Sequence, residues 1–296
     1  MRKLYAVEDP RLEREVFGMH FRNPIGMAAG FDRNGEVFNE LAALGFGFVE
    51  IGTVTPLPQM GNPKPRVFRL PDDVAIMNRV GLCNKGLERV ISNIRERNKG
   101  LVLGCNIGKN SATAPEDAPQ DYLRVFRNLY QYVDYFTVNV SYNTSFKQYV
   151  PRTRESIISI LEPLFDFRRG QNQYRPILLK ISPDLSNEDI DMMTDIMVDT
   201  PLDGIVATNG TVRHTGLTTD AEMLKRYGSG AVRGKPRTKR SIEVVRRVYE
   251  RSNGTYPIIG VGGVMTPADA KAMLEAGATL VQVYTGYVYN GPNFVG

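Results

Sequence analysis

Eight short apolar or β-rich runs punctuate the chain, and most are separated by longer stretches with helical periodicity. The runs fall at about 24–30, 46–53, 101–107, 135–141, 176–182, 202–209, 256–263 and 279–286. Segments 37–45, 121–133, 155–167, 238–252 and 266–277 repeat their apolar residues at helical spacing. Parallel strands need a crossover, usually a helix, so this alternation implies a parallel sheet. Eight strands in 296 residues favour a closed (β/α)8 TIM barrel over an open doubly wound sheet. Residues 14–24 read as a short β-hairpin ahead of the first barrel strand. No low-complexity linker divides the chain, so one domain is expected over 1–296. Gly45 and Gly277 fit positions just past helix ends, and Ser186 precedes an acidic first turn. Residues 55–73 are too Pro-rich for a helix and read as a long ordered loop, with a second long connection over 210–234.

Charge and cysteine usage exclude several classes. Lys and Arg number 37 against 32 Asp and Glu, a mild excess that suits anionic small molecules or a phosphate-bearing cofactor. No dense basic tract with interleaved aromatics argues for nucleic acid. The richest basic run, Arg233 to Ser241, reads as a solvated loop leading into a helix. Cys83 and Cys105 supply neither a disulfide framework nor metal spacing, and His20 and His214 stand alone, so no metal site is expected and a reduced cytoplasmic setting is. The first ten residues lack the apolar core of a signal peptide, and no run approaches the ~20 apolar residues of a membrane span.

Active sites of such barrels form at the C-terminal ends of the strands. Here those ends read Ala28-Ala29-Gly30, followed by Phe31-Asp32-Arg33; then Gly52-Thr53, Asn106, Asn139, Lys180, Thr208-Asn209, Gly262-Gly263 and Tyr284-Thr285-Gly286. Asn and Thr can hydrogen-bond a neutral planar heterocycle. Glycines let backbone N–H groups approach an anion, and the last two strands form the usual phosphate pocket of the fold. The implied ligand carries a flat polar ring and a phosphate. FMN fits better than a dinucleotide, because no strand-GxGxxG-helix unit with a downstream acid is present. Lys180, flanked by apolar residues, is either a snorkelling lysine or a fixed cation beside the ring, where it would stabilise the charge that arrives with a hydride.

Several motifs are more specific: NPIGMAAGFDRNG (23–35), GTVTPLPQMGNPKPRVFRL (52–70), NRVG (78–81), NIGKN (106–110), KISPDLS (180–186), DGIVATN (203–209), and IIGVGG with VQVYTG (258–286). In these the chain resembles the dihydroorotate dehydrogenases, and AAGFD with GNPKPRVFRL is similar to their membrane-associated, quinone-reducing class. The resemblance implies that FMN takes a hydride from (S)-dihydroorotate while a base removes the adjacent proton; orotate leaves and a quinone reoxidises the flavin. It implies FMN contacts from Ala29, Gly30, Thr53, Asn106, Asn139, Lys180, Thr208, Gly263, Tyr284 and Thr285. It assigns the pyrimidine to Asn78, Asn139 and Asn209, with Arg79, Val80, Gly81 and Leu82 completing the NRVG segment, and the substrate carboxylate to Arg33. The class also carries N-terminal helices that rest on a membrane and form the quinone tunnel, and the chain is expected to start past them. The full-length protein is then expected to be a monomer, peripheral to the cytoplasmic side of the inner membrane.

Four departures from the family pattern stand out. The family has lysine at the position of Arg33. Its Gly-Gly-Leu-Ser-Gly phosphate turn reads Gly230-Ala231-Val232-Arg233-Gly234, which makes Ala231 a cofactor contact whose Cβ is a strain if the turn needs positive φ. Leu82 replaces a phenylalanine. Last, the family's Asn-hydrophobic-Ser-(Ser or Cys)-Pro-Asn-Thr loop, whose second Ser or Cys is the base, is one residue shorter here and lacks the proline: Asn139-Val140-Ser141-Tyr142-Asn143-Thr144. Either Ser141 stands at the first serine and the base is deleted, or the loop shifts and Ser141 acts. Tyr142, with an ordinary phenol pKa near 10, is the alternative base. Asn143 matches the second loop asparagine that binds substrate. The shortened loop also leaves open a flavin-binding relative with another pyrimidine substrate or no turnover.

Overall fold

The computed structural model describes residues 5–6, 9–140 and 153–295. A hairpin of β1 (Arg14–Val16) and β2 (Met19–Phe21) comes first, and its two-residue turn puts Phe17 and Gly18 at positive φ, as the twist of such hairpins requires. Eight parallel strands then close a barrel: β3 (Ile25–Met27), β4 (Phe48–Val54), β7 (Val102–Ile107), β8 (Tyr135–Asn139), β9 (Ile177–Ile181), β10 (Gly204–Ala207), β12 (Ile258–Val261) and β13 (Leu280–Val283). Seven lie within the apolar runs of the sequence, β4 overruns its run by one residue at Val54, and the expected hairpin precedes them.

Helices cover the barrel: α1 (Phe38–Ala43), α2 (Leu87–Ile94), α3 (Ala118–Leu129), α4 (Arg154–Arg169), α5 (Asn187–Asp199), α6 (Ala221–Tyr227), α7 (Thr238–Arg251), α8 (Pro267–Glu275) and α9 (Thr285–Asn290). Their starts are chemically marked. Ser186 accepts from the Asp189 amide to cap α5, and Thr266 forms a reciprocal capping box with Asp269 on α8. Gly45 and Gly277 follow α1 and α8 at positive φ, where a Cβ would be strained. Among the described residues no helix is long and apolar enough to cross a membrane.

The pleat sorts each strand's residues into two sets. Val49, Ile51, Leu103, Cys105, Phe136 and Val138 face outward into the apolar layer beneath the helices. Phe48, Val102, Tyr135, Leu178 and Leu280 face inward and pack with Val16 and Phe21 of the hairpin, which plugs the barrel floor. The Phe21 and Phe48 rings meet edge-on at 5.4 Å. Gly104 is required beside Tyr135, because a Cβ there would overlap the phenol ring. Two residues further along the same strands the interior turns polar, with Glu50, Thr137 and Gln282 fully buried. Two residues beyond those, chemistry-bearing side chains emerge at the barrel mouth.

The two long connections are more ordered than their composition suggests. They contribute β5 (Val67–Leu70), β6 (Ala75–Asn78) and β11 (Ala231–Gly234), which form an antiparallel sheet in the order β11-β6-β5. The prolines at 56, 58, 63 and 65 precede β5 and hide it in the sequence. At the tip of the β5–β6 hairpin, Asp73 accepts from the amides and hydroxyls of Thr218 (2.6 and 2.8 Å) and Thr219 (3.0 and 2.5 Å). This joins the two connections into one roof over the barrel mouth. The basic run Arg233–Ser241 is not simply a solvated loop: Arg237 is 3% exposed and Ser241 is wholly buried.

Candidate active site

Four barrel strands each deliver a buried polar or charged side chain to the mouth. β7 contributes Asn106, β8 Asn139, β9 Lys180 and β4 Thr53, all less than a tenth exposed. Their side chains are wired in one direction. Asn139 Nδ2 donates to Thr53 Oγ1 (3.2 Å), Thr53 donates to Asn106 Oδ1 (2.6 Å), and Asn106 Nδ2 donates to Glu50 Oε1 (2.9 Å). The other Glu50 oxygen accepts from Gln282 Nε2 (2.8 Å), Thr137 Oγ1 (3.1 Å) and the Tyr135 hydroxyl (3.2 Å). Glu50 thus anchors the amides from below. Buried amides with locked orientation give a rigid, directional surface for a planar ligand.

Lys180 is 4% exposed at the same level. Burial pulls its pKa below the usual lysine value, Glu50 opposes that pull, and Arg233 adds to it. A cation in this environment responds strongly to negative charge developing above it.

A cleft opens over these residues. Its floor includes Ala29, Gly30, Thr53, Asn106, Asn139 and Lys180; its walls include Arg33, Asn209 and Tyr284; and its roof comes from Asn78, Arg79, Val80, Gly81, Leu82, Ala231 and Arg233. A second, smaller space shares Ala29, Lys180, Asn209, Arg233 and Tyr284 with it and runs under the ends of β12 and β13. It is lined by Thr208, Gly262, Gly263, Thr285 and Gly286, and by Gly234, Arg237 and Gln282, which sequence reasoning did not single out. The site residues read from the sequence that lie among the described residues therefore converge on two adjoining spaces. Ser141, Tyr142 and Asn143 lie outside the described residues.

Placement qualifies two of the readings. Arg79 reaches the cleft, but its guanidinium is committed to the carbonyls of Tyr227, Ser229 and Pro65, so it binds the roof together. Ala231 lies opposite Asn78 in the β11–β6 pairing and lines the larger cleft; the groove beneath β12 and β13 is lined instead by Gly234, at φ 110°. A Cβ on Gly234 would meet the backbone of Val74 and Ala75. Ala231 and Arg233 face the cleft while Val232 packs into a small apolar cluster with Leu70, Ala75 and Met77, as strand alternation requires.

The donor set fits a ring-plus-phosphate cofactor. Among the described residues, buried polar atoms along the groove, Arg237 Nε, Gln282 Oε1, Thr285 Oγ1 and Arg233 Nη1, have no hydrogen-bond partner. Buried polar groups are normally satisfied, so a ligand in this groove is expected to complete them.

Comparison with known proteins agrees with this geometry. The dihydroorotate dehydrogenase family model matches residues 11–296. The chain belongs to the dihydroorotate dehydrogenase family. A dihydroorotate dehydrogenase (quinone) of Christiangramia forsetii is 46% identical over 295 residues, covering 100% of this chain and 85% of that protein. One of Corynebacterium efficiens is 43% identical and covers 100% of this chain and 77% of that protein. The ligand-free DHODH crystal structure from Eimeria tenella superposes with a TM-score of 0.91 at 33% identity, covering 98% of this chain and 87% of that one. The Eimeria tenella DHODH complex with ferulenol gives 0.90 at 32% identity, covering 97% of this chain and 82% of that one. A dihydroorotate dehydrogenase barrel carrying Glu50 beneath its amides could have been suspected from one signal: a carboxylate within FVEIGTV, a strand otherwise free of charge.

Proposed function

We propose that this chain is an FMN-binding barrel domain that oxidises (S)-dihydroorotate to orotate in pyrimidine synthesis, with a quinone as final electron acceptor. The observation that supports this best is buried Lys180 in a cleft lined by Asn78, Asn106, Asn139 and Asn209 and continuous with a glycine-lined groove. FMN, when bound, supplies the hydride acceptor and passes electrons on. The protein's own groups do the rest. Asn78, Asn139 and Asn209 present amides that match the donor and acceptor edges of a pyrimidine ring. Arg33, at the cleft wall, offers a planar fork to the substrate carboxylate. Lys180 holds a positive charge where negative charge accumulates. Ser141 is the candidate base for the substrate proton and Tyr142 the alternative. The roof of β5, β6 and β11 keeps water from the reacting atoms. Peripheral membrane contact and a monomeric state accompany this proposal.

Anaerobic addition of dihydroorotate to the purified yellow protein tests it. Prompt bleaching of the visible flavin absorption is expected, and Ser141→Ala and Tyr142→Phe then identify the base. The shortened loop favours a second reading, a flavoprotein without this turnover. A yellow protein that keeps its colour on addition of dihydroorotate selects that reading and sinks the first.

A further inference from the structure

Two guanidinium groups reach the groove beneath β12 and β13, and among the described residues neither is hydrogen-bonded to a carboxylate. Arg237 is 3% exposed; its Nη2 donates to Thr208 Oγ1 (3.1 Å) and Ser241 Oγ (3.5 Å), and its Nε has no partner among the described residues. Arg233 donates through Nη2 to Asn209 Oδ1 (3.4 Å), and its buried Nη1 has no partner. The acid that acts on Arg237 is Asp184, whose oxygens are taken by the Thr211 hydroxyl and the Val212 amide. Burial pulls the Arg237 pKa down to about 10, with Arg233 and Arg240 adding repulsion, so it remains a cation at neutral pH. A buried cation whose counter-charge is held off by other donors is unfavourable, and two converging on one groove compound the penalty. The pattern makes sense when an anion completes them. Thr285 Oγ1, buried and unpartnered in the same groove, adds a neutral donor.

We propose that Arg237, with Arg233 behind it, grips the phosphate of the cofactor through side-chain hydrogen bonds, so that this chain holds a phosphomonoester by guanidinium charge as well as by glycine backbone. Neither position stood out as a ligand in the sequence, and the family turn carries serine where Arg233 stands. Guanidinium matches phosphate oxygens in a bidentate geometry that lysine cannot reproduce. The proposal rests on the flavin reading above, and the test separates the two.

The full chain is dialysed against an equimolar mixture of FMN and riboflavin, which share the ring and differ in the phosphate, and the bound flavin is quantified. The wild type is expected to retain FMN almost exclusively. In Arg237→Leu the bound FMN-to-riboflavin ratio is expected to fall at least 30-fold, in Arg233→Ser by a smaller factor, and in Arg237→Lys by less than in Arg237→Leu. A ratio within threefold of wild type in Arg237→Leu overturns the grip, as does a parallel loss of both flavins, which would mark Arg237 as structural. If the wild type takes up neither flavin, the flavin reading fails, and thermal melts with millimolar inorganic phosphate decide the grip alone. A rise in melting temperature in wild type that is absent in Arg237→Leu upholds an anion site; no rise in either removes it.

Discussion

Replacing Glu50 with glutamine keeps the shape of the buried group and removes its charge. Four donors converge on the Glu50 carboxylate, from Asn106, Gln282, Thr137 and Tyr135, at 2.8–3.2 Å. The two hydroxyls can turn to accept from the new amide, and Gln282, whose Oε1 has no partner, can flip. Most hydrogen bonds can therefore re-form. The charge cannot, and Glu50 is the group that raises the Lys180 pKa against burial. Removing an opposite charge beside an ionised group typically changes its proton affinity by about tenfold or more, about 1.4 kcal/mol per factor of ten. The sign is definite. Without Glu50 the amine holds its proton less tightly, so the alkaline limb of the rate of flavin reduction moves to lower pH. Stopped-flow bleaching with dihydroorotate across pH 6–10 measures it, with Gln282→Met as a control that disturbs the same network at constant charge. An unmoved limb in Glu50→Gln, or an equal movement in Gln282→Met, would refute the role of Glu50 as counter-charge to Lys180.

Other expectations follow from single contacts. Arg33→Ala is expected to raise the KM for dihydroorotate by ~10–100-fold and Arg33→Lys by only a few fold, because both cations pair with a carboxylate but only one does so as a fork; steady-state kinetics showing an unchanged KM in the alanine variant would remove Arg33 from the substrate site. For Asp73, burial pushes the carboxyl pKa up, but the hydrogen bonds from Thr218 and Thr219 outweigh it and the net shift is downward. A depressed carboxylate stabilises the fold above its unfolded pKa of ~3.9, and that contribution is lost as pH falls through the folded value. Asp73→Asn is therefore expected to cost about 2–3 kcal/mol in urea unfolding at pH 7, with the gap to wild type closing below about pH 4; a gap independent of pH would mean that charge does not matter there.

The barrel and most of its mouth were legible because most strands end their apolar run with a polar residue, and the fold assigns strand ends to chemistry. Asn106, Asn139, Lys180 and Thr208 could be found in this way. Glu50 could not be placed, since a mid-strand carboxylate shows its inward orientation only once the register is known. The β11–β6 pairing was invisible for another reason: Ala231 and Asn78 are partners across 153 positions, and neither segment carries a long alternating pattern. Arg237 was misread because a run of basic residues looks the same whether its members face water or a groove. Ala231 was assigned to the phosphate by motif position, whereas the strand it belongs to carries it to the larger cleft and leaves Gly234 at the groove.

The roof is assembled from two excursions and is not needed to close the barrel beneath it. Its contacts are among the most distant in sequence, so loop-closure entropy opposes them most and they are expected to form late in folding. The groove under β12 and β13 takes Arg233 and Gly234 from β11, so both spaces draw on the roof as well as on the barrel. A cofactor held by Arg233 would tie the roof to the barrel, and an empty chain of this design would close its substrate chamber less firmly. It could also open that chamber by local unfolding, in a breathing motion that exposes the β6 and β11 amides to exchange while those of β7 and β8 stay protected. Substrate entry would then draw on the stability of a small, separable sheet, leaving the barrel's own stability untouched.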